Sequence, residues 1–129
     1  MFEVHGHLRT ARCCECQTRF PLSAAFDQVR SGHLPECEGC GESLRPDVVL
    51  FGDMMPDAFT QASDAAAKCG LLLVVGSSLT VSPANTLAMM SRRLAIINRD
   101  PTPLDDRAIV VIHAAAGETL AALADKLGA

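Results

Sequence analysis

Four cysteines stand in two closely spaced pairs, and their spacing is the strongest chemical signal in the chain. Cys13 and Cys16 form one C-x-x-C pair, Cys37 and Cys40 form another, and residues 17–36 separate them. Each pair can place two thiolates on one tetrahedral ion. The pattern predicts a structural Zn²⁺ site, since four thiolates leave no open coordination position. A redox-active dithiol and a chance cluster remain as alternatives.

The other two cysteines and the glycine after the second pair are interpreted without a role as metal ligands. Gly41 directly follows the second pair, where a knuckle turn around a metal can require a positive φ. We interpret Cys14 as a bystander of the spacing. Cys69 is predicted to be a small apolar side chain on the inner face of a helix.

One histidine and two polar turns are further candidates for chemistry. His5 precedes Gly6, and an imidazole can act as a general base because it titrates near neutral pH. A lone histidine, however, is more often packed in a core or beside a metal. Residues 76–78 (Gly-Ser-Ser) and Asn98 each follow an apolar run. A glycine there permits close approach of a ligand, whereas Asn98 alone is also an ordinary turn residue.

Strands and helices must position these groups. The apolar runs and breakers predict strands at 47–50, 71–75, 94–97 and 109–112. The run 71–75 is typical of a parallel strand covered on both faces. Helices are predicted from Asp57 to Gly70, from a Ser82-Pro83 start to about Arg92, and at the carboxyl end. The inward residues of the first helix would be Ala58, Ala62, Ala65 and Cys69, with Phe59 and Ala66 beside them, and those of the last helix would be Leu120, Leu123, Ala124 and Leu127.

This alternation predicts an α/β fold: a partial Rossmann-like parallel sheet with helices on both faces, plus a small four-cysteine zinc-ribbon module. We divide the chain into an amino-terminal segment 1–12, a zinc-binding module 13–46 and a sheet domain 47–129. Loops 51–53, 76–78 and 98–100 would follow the carboxyl ends of parallel strands, where such sheets bind ligands.

Composition narrows the class of protein. The 129 residues are 49% hydrophobic, carry a net charge of −4, and include five phenylalanines but no tryptophan or tyrosine. The core must therefore be aliphatic. We expect no nucleic-acid partner because no basic cluster occurs, and no membrane association because no apolar run is long enough to span a bilayer. No signal peptide is visible at the first residues, so a cytoplasmic location is expected.

Five motifs in order resemble the sirtuin pattern. They are His5-Gly6, the two C-x-x-C pairs, the segment 45–53 (RPDVVLFGD), the segment 76–85 (GSSLTVSPAN) and Ile97-Asn98. Sirtuins carry HG, two C-x-x-C pairs, RPDVV-x-FGE, GTSL-x-V-x-P and IN. Each motif alone would be weak, but the five together cover essentially the whole chain. Asp53 replaces the usual Glu and Ser77 the usual Thr.

The resemblance implies an NAD-dependent protein-lysine deacylase with NAD as co-substrate and a structural zinc ion. His5 would be the catalytic base on a ribose hydroxyl, after the acyl-lysine oxygen attacks the anomeric carbon and releases nicotinamide. Val49, Phe51, Gly52 and Val81 would line the acyl-lysine channel or pair with the substrate peptide. The alternative for such apolar positions is plain core packing, which we prefer for the neighbouring Val48.

The same resemblance places the cofactor in the second half of the chain. Gly76, Ser77 and Ser78 match the turn that approaches the phosphate and ribose of NAD. Asn98 matches the residue that bonds the adenosine ribose. His7, His33 and His113 lack a comparable context and are interpreted as ordinary residues.

Other sirtuin features do not occur in these 129 residues. No G-x-G-x-x-G motif and no Gln-Asn-Ile-Asp segment is present, so we expect no pyrophosphate cradle and no nicotinamide pocket. An upstream start codon, a truncated gene or a separate complementing chain would each explain this. We expect the sheet to expose an apolar edge or face, and the isolated chain to be marginally stable or to associate with itself or with a complementing chain.

Three functions compete. The first is the deacylase, and the second is a catalytically inactive, zinc-stabilised fragment that binds proteins or peptides. A third is a sheet like the middle domain of thiamine-diphosphate enzymes. The turn at Gly76 fits that third class, but His5-Gly6 and the paired cysteines do not.

Overall fold

The chain folds into two compact units, Met1–Ala58 and Phe59–Ala129, in a computed structural model that describes residues 1–128. Each unit contains its own three-stranded sheet and its own buried cluster. The division into three segments at residues 12 and 46 remains a prediction.

The first unit is built on an antiparallel sheet. Its elements are β1 (Gly6–Cys13), β2 (Arg19–Pro21), α1 (Leu22–Arg30) and β3 (Leu44–Val48). β1 is the central strand and pairs with β2 on one side and β3 on the other. Its buried cluster consists of apolar side chains and two of the paired cysteines: Ala11, Cys13, Leu22, Ala25, Cys37 and Leu44.

The strand predicted at 47–50 is displaced. β3 instead spans Leu44–Val48 and pairs antiparallel with β1, with Cys13 opposite Leu44 and Gly6 opposite Val48. The prediction of a parallel strand was wrong because the segment that follows the second cysteine pair runs antiparallel to β1 and pairs with it. Loop 51–53 therefore follows an antiparallel strand.

The second unit confirms the predicted parallel sheet with intervening helices. Its elements are α2 (Asp57–Lys68, which begins just before the boundary), β4 (Leu72–Val75), α3 (Thr86–Met90), β5 (Leu94–Ile97), β6 (Val110–Ile112) and α4 (Ala116–Leu127). The strand order is β4-β5-β6, and both pairings are parallel. All four residues of the central strand β5 are buried.

The two faces of this sheet differ in burial. Leu94 and Ile96 belong to a buried cluster with Leu79 and Ala88. Alternation along the strands puts residues 73, 95 and 97, 110 and 112 on the opposite face. Ala95 and Ile97 are buried there, but Leu73, Val110 and Ile112 are 41%, 48% and 38% exposed. The prediction that strand 71–75 is covered on both faces was therefore wrong for β4.

The helix predictions need three corrections. α3 begins at Thr86, because irregular turns occupy residues 82–85, so Ser82-Pro83 does not start it. In α2, Ala66 is buried whereas the predicted inward residue Ala65 is exposed. α4 has no buried residue, and its three leucines are exposed. Gly128 does end α4, in the left-handed conformation at φ 71°.

Within residues 1–128, the longest helices have 12 residues, and none combines the length and apolar character required to cross a membrane.

Candidate functional site

The four paired cysteines converge in the first unit. The Sγ atoms of Cys13, Cys16, Cys37 and Cys40 all lie within 4.8 Å of one another. Cys13 and Cys40 are separated by 3.4 Å, and Cys16 and Cys37 by 3.7 Å. A tetrahedral zinc site with Zn–S bonds of about 2.3 Å has S···S edges of about 3.8 Å. The cluster therefore fits a four-thiolate Zn²⁺ ion, and these distances are too long for disulfide bonds.

Two similar turns hold the thiols. The residue after each C-x-x-C pair has a positive φ: 59° at Gln17 and 74° at Gly41. The Gly41 N–H donates to the Cys37 carbonyl at 2.8 Å, which closes the second turn. The predicted positive φ at Gly41 is confirmed. Cys14 and Cys69 lie outside the cluster of four.

The thiols strongly influence one another's ionisation. The hydrogen bond to the Thr18 hydroxyl is the main cause that lowers the pKa of Cys16 to about 6. A backbone N–H at Glu42 lowers the pKa of Cys40, but hydrogen bonding to the thiols of Cys13 and its neighbours and desolvation outweigh it and raise that pKa to about 12. Ionisation of one thiol thus disfavours ionisation of the neighbouring thiols. A bound dication removes that effect, because it stabilises all four negative charges.

Gly6 fixes the position of His5 at the start of β1. Its φ is 74°, and a Cβ atom there would lie 2.1 Å from the Asp47 carbonyl oxygen. That backbone belongs to β3, and the Asp47 carboxylate is held by Thr10 at 2.5 Å and Arg19 at 3.3 Å. The oxygen cannot move away easily, so the close approach of β1 and β3 requires glycine at position 6.

His5 itself is exposed, and its backbone is tied to the predicted substrate segment. The Val49 N–H donates to the His5 carbonyl at 3.0 Å. Val49 is half-buried, whereas Phe51 and Gly52 lie in an exposed turn. The structure therefore brings His5, Val49, Phe51 and Gly52 into one region of the first unit.

A cleft of about 580 Å³ lies beside this region, within the first unit. Charged side chains on its walls include Arg12, Arg19 and Asp47, and Met54 adds an apolar wall. His7 also faces it, and its buried Nδ1 has no hydrogen-bond partner among residues 1–128.

The turn after β4 carries the predicted phosphate-side residues in the second unit. Gly76 has φ 64°, and its N–H donates to the Ile97 carbonyl at 2.9 Å. The Ser77 Oγ accepts from the Leu79 N–H at 3.3 Å, and the Ser78 hydroxyl bonds the hydroxyl of Thr80 at 2.8 Å. Leu79 is buried with φ 55°. Nothing in the sequence indicates this strained residue, because leucine rarely adopts that conformation.

Asn98 and Val81 are the remaining predicted residues, and both lie in the second unit. The Asn98 side chain donates to the Asp100 carbonyl at 2.8 Å, which is the behaviour of a turn residue. The backbone carbonyl oxygen of Asn98 lies 3.2 Å from Nδ1 of His113. Nε2 of that histidine is 3.4 Å from a carboxylate oxygen of Asp105. Val81 is half-exposed in the loop before α3.

Comparison with known proteins identifies the family. The Sir2 family model matches residues 1–83, which is more than half of the chain. The chain belongs to the Sir2 family. Among curated relatives of this sirtuin chain, "NAD-dependent protein deacetylase 2" of Caldanaerobacter subterraneus subsp. tengcongensis is 43% identical over 121 residues. "NAD-dependent protein deacetylase 1" of Geobacillus kaustophilus is 47% identical over 118 residues.

Solved Sir2 structures agree with this result. "Sir2-p53 peptide-NAD+" and "Structure of Sir2Tm bound to a propionylated peptide" each match with a TM-score of 0.94 and 29% identity, and each match covers 98% of this chain. Those matches cover 55% and 56% of the other chains. The curated relatives are covered to 48% and 46%, with 93% and 88% of this chain matched. This sirtuin chain thus spans about half the length of the proteins it matches.

Zinc should be required for the first unit of this Sir2 family member to fold. We expect Cys37→Ser to abolish stoichiometric zinc binding and cooperative unfolding of this unit, because zinc binding supplies on the order of 10 kcal/mol in small thiolate sites. The matched control, Cys14→Ser, should keep one zinc ion per chain. Metal analysis and thermal unfolding followed by circular dichroism would measure both. Full zinc content and unchanged unfolding in Cys37→Ser would contradict the assignment.

We expect Gly6→Ala to lower the free energy of unfolding of the first unit by more than the strain of a positive φ alone would. Gly32→Ala is the matched control, because Gly32 has φ 82° but no heavy atom within 4 Å of the position that an added methyl group would take. We expect a loss of about 1 kcal/mol for Gly32→Ala and more than about 2 kcal/mol for Gly6→Ala. Denaturant unfolding of the zinc-loaded chain would measure the difference, and equal losses would rule out the steric explanation.

Proposed function

We propose that this chain supplies the peptide-docking and zinc-binding part of an NAD-dependent protein-lysine deacylase. The observation that carries the proposal is the backbone bond from Val49 to His5. It joins the backbone of His5, whose side chain is exposed, to the residue that lies two positions before Phe51. An acyl-lysine peptide pairing with the turn that contains Phe51 and Gly52 would present its modified side chain close to a general base.

His5 is the proposed catalytic residue, and its role is to accept the proton of a ribose hydroxyl of NAD. Free imidazole exchanges protons near neutral pH, and the exposed ring leaves its nitrogens accessible. Val49, Phe51 and Gly52 would bind the substrate peptide, and Val81 would contact the acyl-lysine side chain.

NAD is the proposed co-substrate, and the second unit supplies residues with the chemistry to bind it. The positive φ and open surroundings of Gly76 permit close approach of a phosphate. Ser77 and Ser78 would bond phosphate or ribose oxygens, and the Asn98 amide would bond the adenosine ribose. NAD supplies the electrophilic anomeric carbon that accepts the acyl oxygen.

The second candidate is a zinc-stabilised peptide-binding fragment without catalytic activity. Phe51 is fully exposed, and the turn that carries it is built by residues of the first unit alone. Such a fragment could dock a peptide without NAD. For either function we propose a reducing compartment such as the cytoplasm, because it keeps a four-thiol cluster available for zinc.

The enzymatic function can be tested directly. The zinc-loaded chain would be incubated with NAD and an acetyl-lysine peptide, and mass spectrometry would detect deacetylated peptide and O-acetyl-ADP-ribose. We expect both products in a sample that also contains the part of the Caldanaerobacter relative that this chain does not match, because the chain has no glycine-rich pyrophosphate motif of its own. In that sample His5→Ala should lose roughly 100-fold or more, as is usual for a general base. His33→Ala, which alters an exposed histidine elsewhere in the same unit, should retain activity.

The absence of product from the folded, zinc-loaded chain together with that added part would contradict the enzymatic function. A parallel sample would contain this chain alone. Product only in the mixed sample would assign the chain to a complemented enzyme. Peptide binding without product in either sample would favour the binding fragment.

We further propose that the exposed face of the β4-β5-β6 sheet associates with another polypeptide, either a second copy or a complementing chain. Leu73 on β4 and Val110 and Ile112 on β6 are exposed apolar side chains on one face of that sheet, on either side of the buried central strand. Exposed apolar side chains on a sheet face are typical of an interface.

A charged side chain introduced on the exposed face of the β4-β5-β6 sheet should prevent the proposed association. We expect the wild-type chain to sediment as a concentration-dependent oligomer when alone and Val110→Lys to remain monomeric, since a charge there opposes burial. Leu34→Lys is the control, because Leu34 is 78% exposed in the first unit. A compact wild-type monomer that binds no hydrophobic dye at any concentration would contradict the proposal.

A further inference from the structure

The turn at residues 50–53 has a fixed geometry. The Asp53 N–H donates to the Leu50 carbonyl at 3.0 Å, and Gly52 has φ 92°. A β-turn with a positive φ at its third residue is a type II turn, which favours glycine there. Phe51 is at the tip and is fully exposed.

The side chain of Asp53 closes this turn from the other side. Its Oδ2 accepts from the Leu50 N–H at 2.9 Å and also from Arg45, and its Oδ1 lies 3.3 Å from Nη1 of the same guanidinium. Arg45 lies on β3, opposite Arg12 of β1. One carboxylate therefore joins the turn to the antiparallel sheet through a two-pronged ion pair.

The contribution of the Arg45–Asp53 ion pair to the free energy of folding does not by itself explain its presence. Partly exposed ion pairs contribute little to folding, and both side chains remain nearly 30% exposed. Nε of Arg45 is buried without a hydrogen-bond partner among residues 1–128, which is unfavourable. What the pair does determine is the conformation of residues 50–53.

Backbone groups at the tip are left available. Among residues 1–128, neither Phe51 nor Gly52 takes part in a backbone hydrogen bond. Val49, two residues before Phe51, donates its N–H to the His5 carbonyl, which ties the start of the turn to the histidine backbone. A preformed arrangement of free donors and acceptors binds an extended peptide at a smaller entropic loss than a mobile loop.

We propose that Arg45 and Asp53 are a positioning pair for substrate, which holds the Phe51–Gly52 backbone in the conformation that pairs with an acyl-lysine peptide. This inference rests on the proposed function. Hydrogen bonds from Arg45 and then from the Leu50 N–H lower the pKa of Asp53. Its charge, and with it the closed turn, therefore persists at neutral pH and is lost only as the pH falls through that lowered value.

The first test measures the turn without any substrate. Amide hydrogen exchange in the zinc-loaded chain would be followed by ¹⁵N NMR in Asp53→Ala, Asp53→Glu and Arg45→Gln. We expect the Leu50 amide to exchange about tenfold faster in Asp53→Ala, because a charge-assisted hydrogen bond is lost. Asp53→Glu, which keeps the charge, should restore part of the protection.

Asp27→Asn is the matched control, since it breaks an exposed ion pair with Arg30 in the same unit. Exchange at the buried residue Ala11 reports whether each variant is folded. Unchanged exchange at Leu50 in folded Asp53→Ala would overturn the inference.

The second test measures binding of an acetyl-lysine peptide by NMR titration. Asp53→Ala should weaken binding about tenfold, and Asp27→Asn should not change it. Equal binding by wild-type and Asp53→Ala, despite faster exchange at Leu50, would overturn the substrate role. No binding by the wild-type chain would contradict the proposed function and the substrate role together, while the exchange result still decides whether the pair fixes the turn.

Discussion

Tetrahedral packing of four sulfur atoms is the constraint on which the first unit depends. Cys13 ends β1, and the second cysteine pair directly precedes β3. Bringing the thiols within 4.8 Å of one another places Cys13 opposite Leu44 and so sets the register of the two strands. The register shifts between Ala11 and Gly6, and beyond that shift Gly6 lies opposite Val48. The thiol cluster thus sets the pairing of the strands near Cys13, whereas the close approach at Gly6 sets which segment lies beside His5.

The second unit is organised by apolar burial instead of by a metal. Its central strand is completely buried, and one face packs against Leu79 and Ala88. Burial of Leu79 helps to hold the turn after β4 in a conformation that leucine otherwise avoids. The opposite face and α4 retain exposed leucines, valine and isoleucine. Its stability in isolation therefore rests on a small cluster, and a covering partner would add the burial that the second face lacks.

The sequence predicts local features of this molecule better than their arrangement. The double C-x-x-C spacing predicted a thiolate cluster and the run 94–97 predicted a strand, because each signal is contained in a few residues. α1 was missed although Leu22, Ala25, Phe26 and Val29 have helical spacing, since the segment was interpreted only through its cysteines. The strand near residue 47 was assigned to the wrong sheet, because strand partners depend on contacts distant in sequence. The positive φ of Leu79 has no local signal at all.

The residues proposed to dock a peptide and those proposed to bind NAD lie in different units. Every group that shapes the Phe51 turn, from the thiol cluster to Arg45 and Asp53, lies in the first unit. The residues proposed to bind NAD lie in the second unit. Two independent constraints, metal coordination in one unit and apolar packing in the other, therefore support the two halves of the proposed reaction. Loss of the second unit's packing should disrupt the proposed cofactor-binding residues but leave the turn at residues 50–53 intact, because no hydrogen bond that forms the turn originates outside the first unit among residues 1–128.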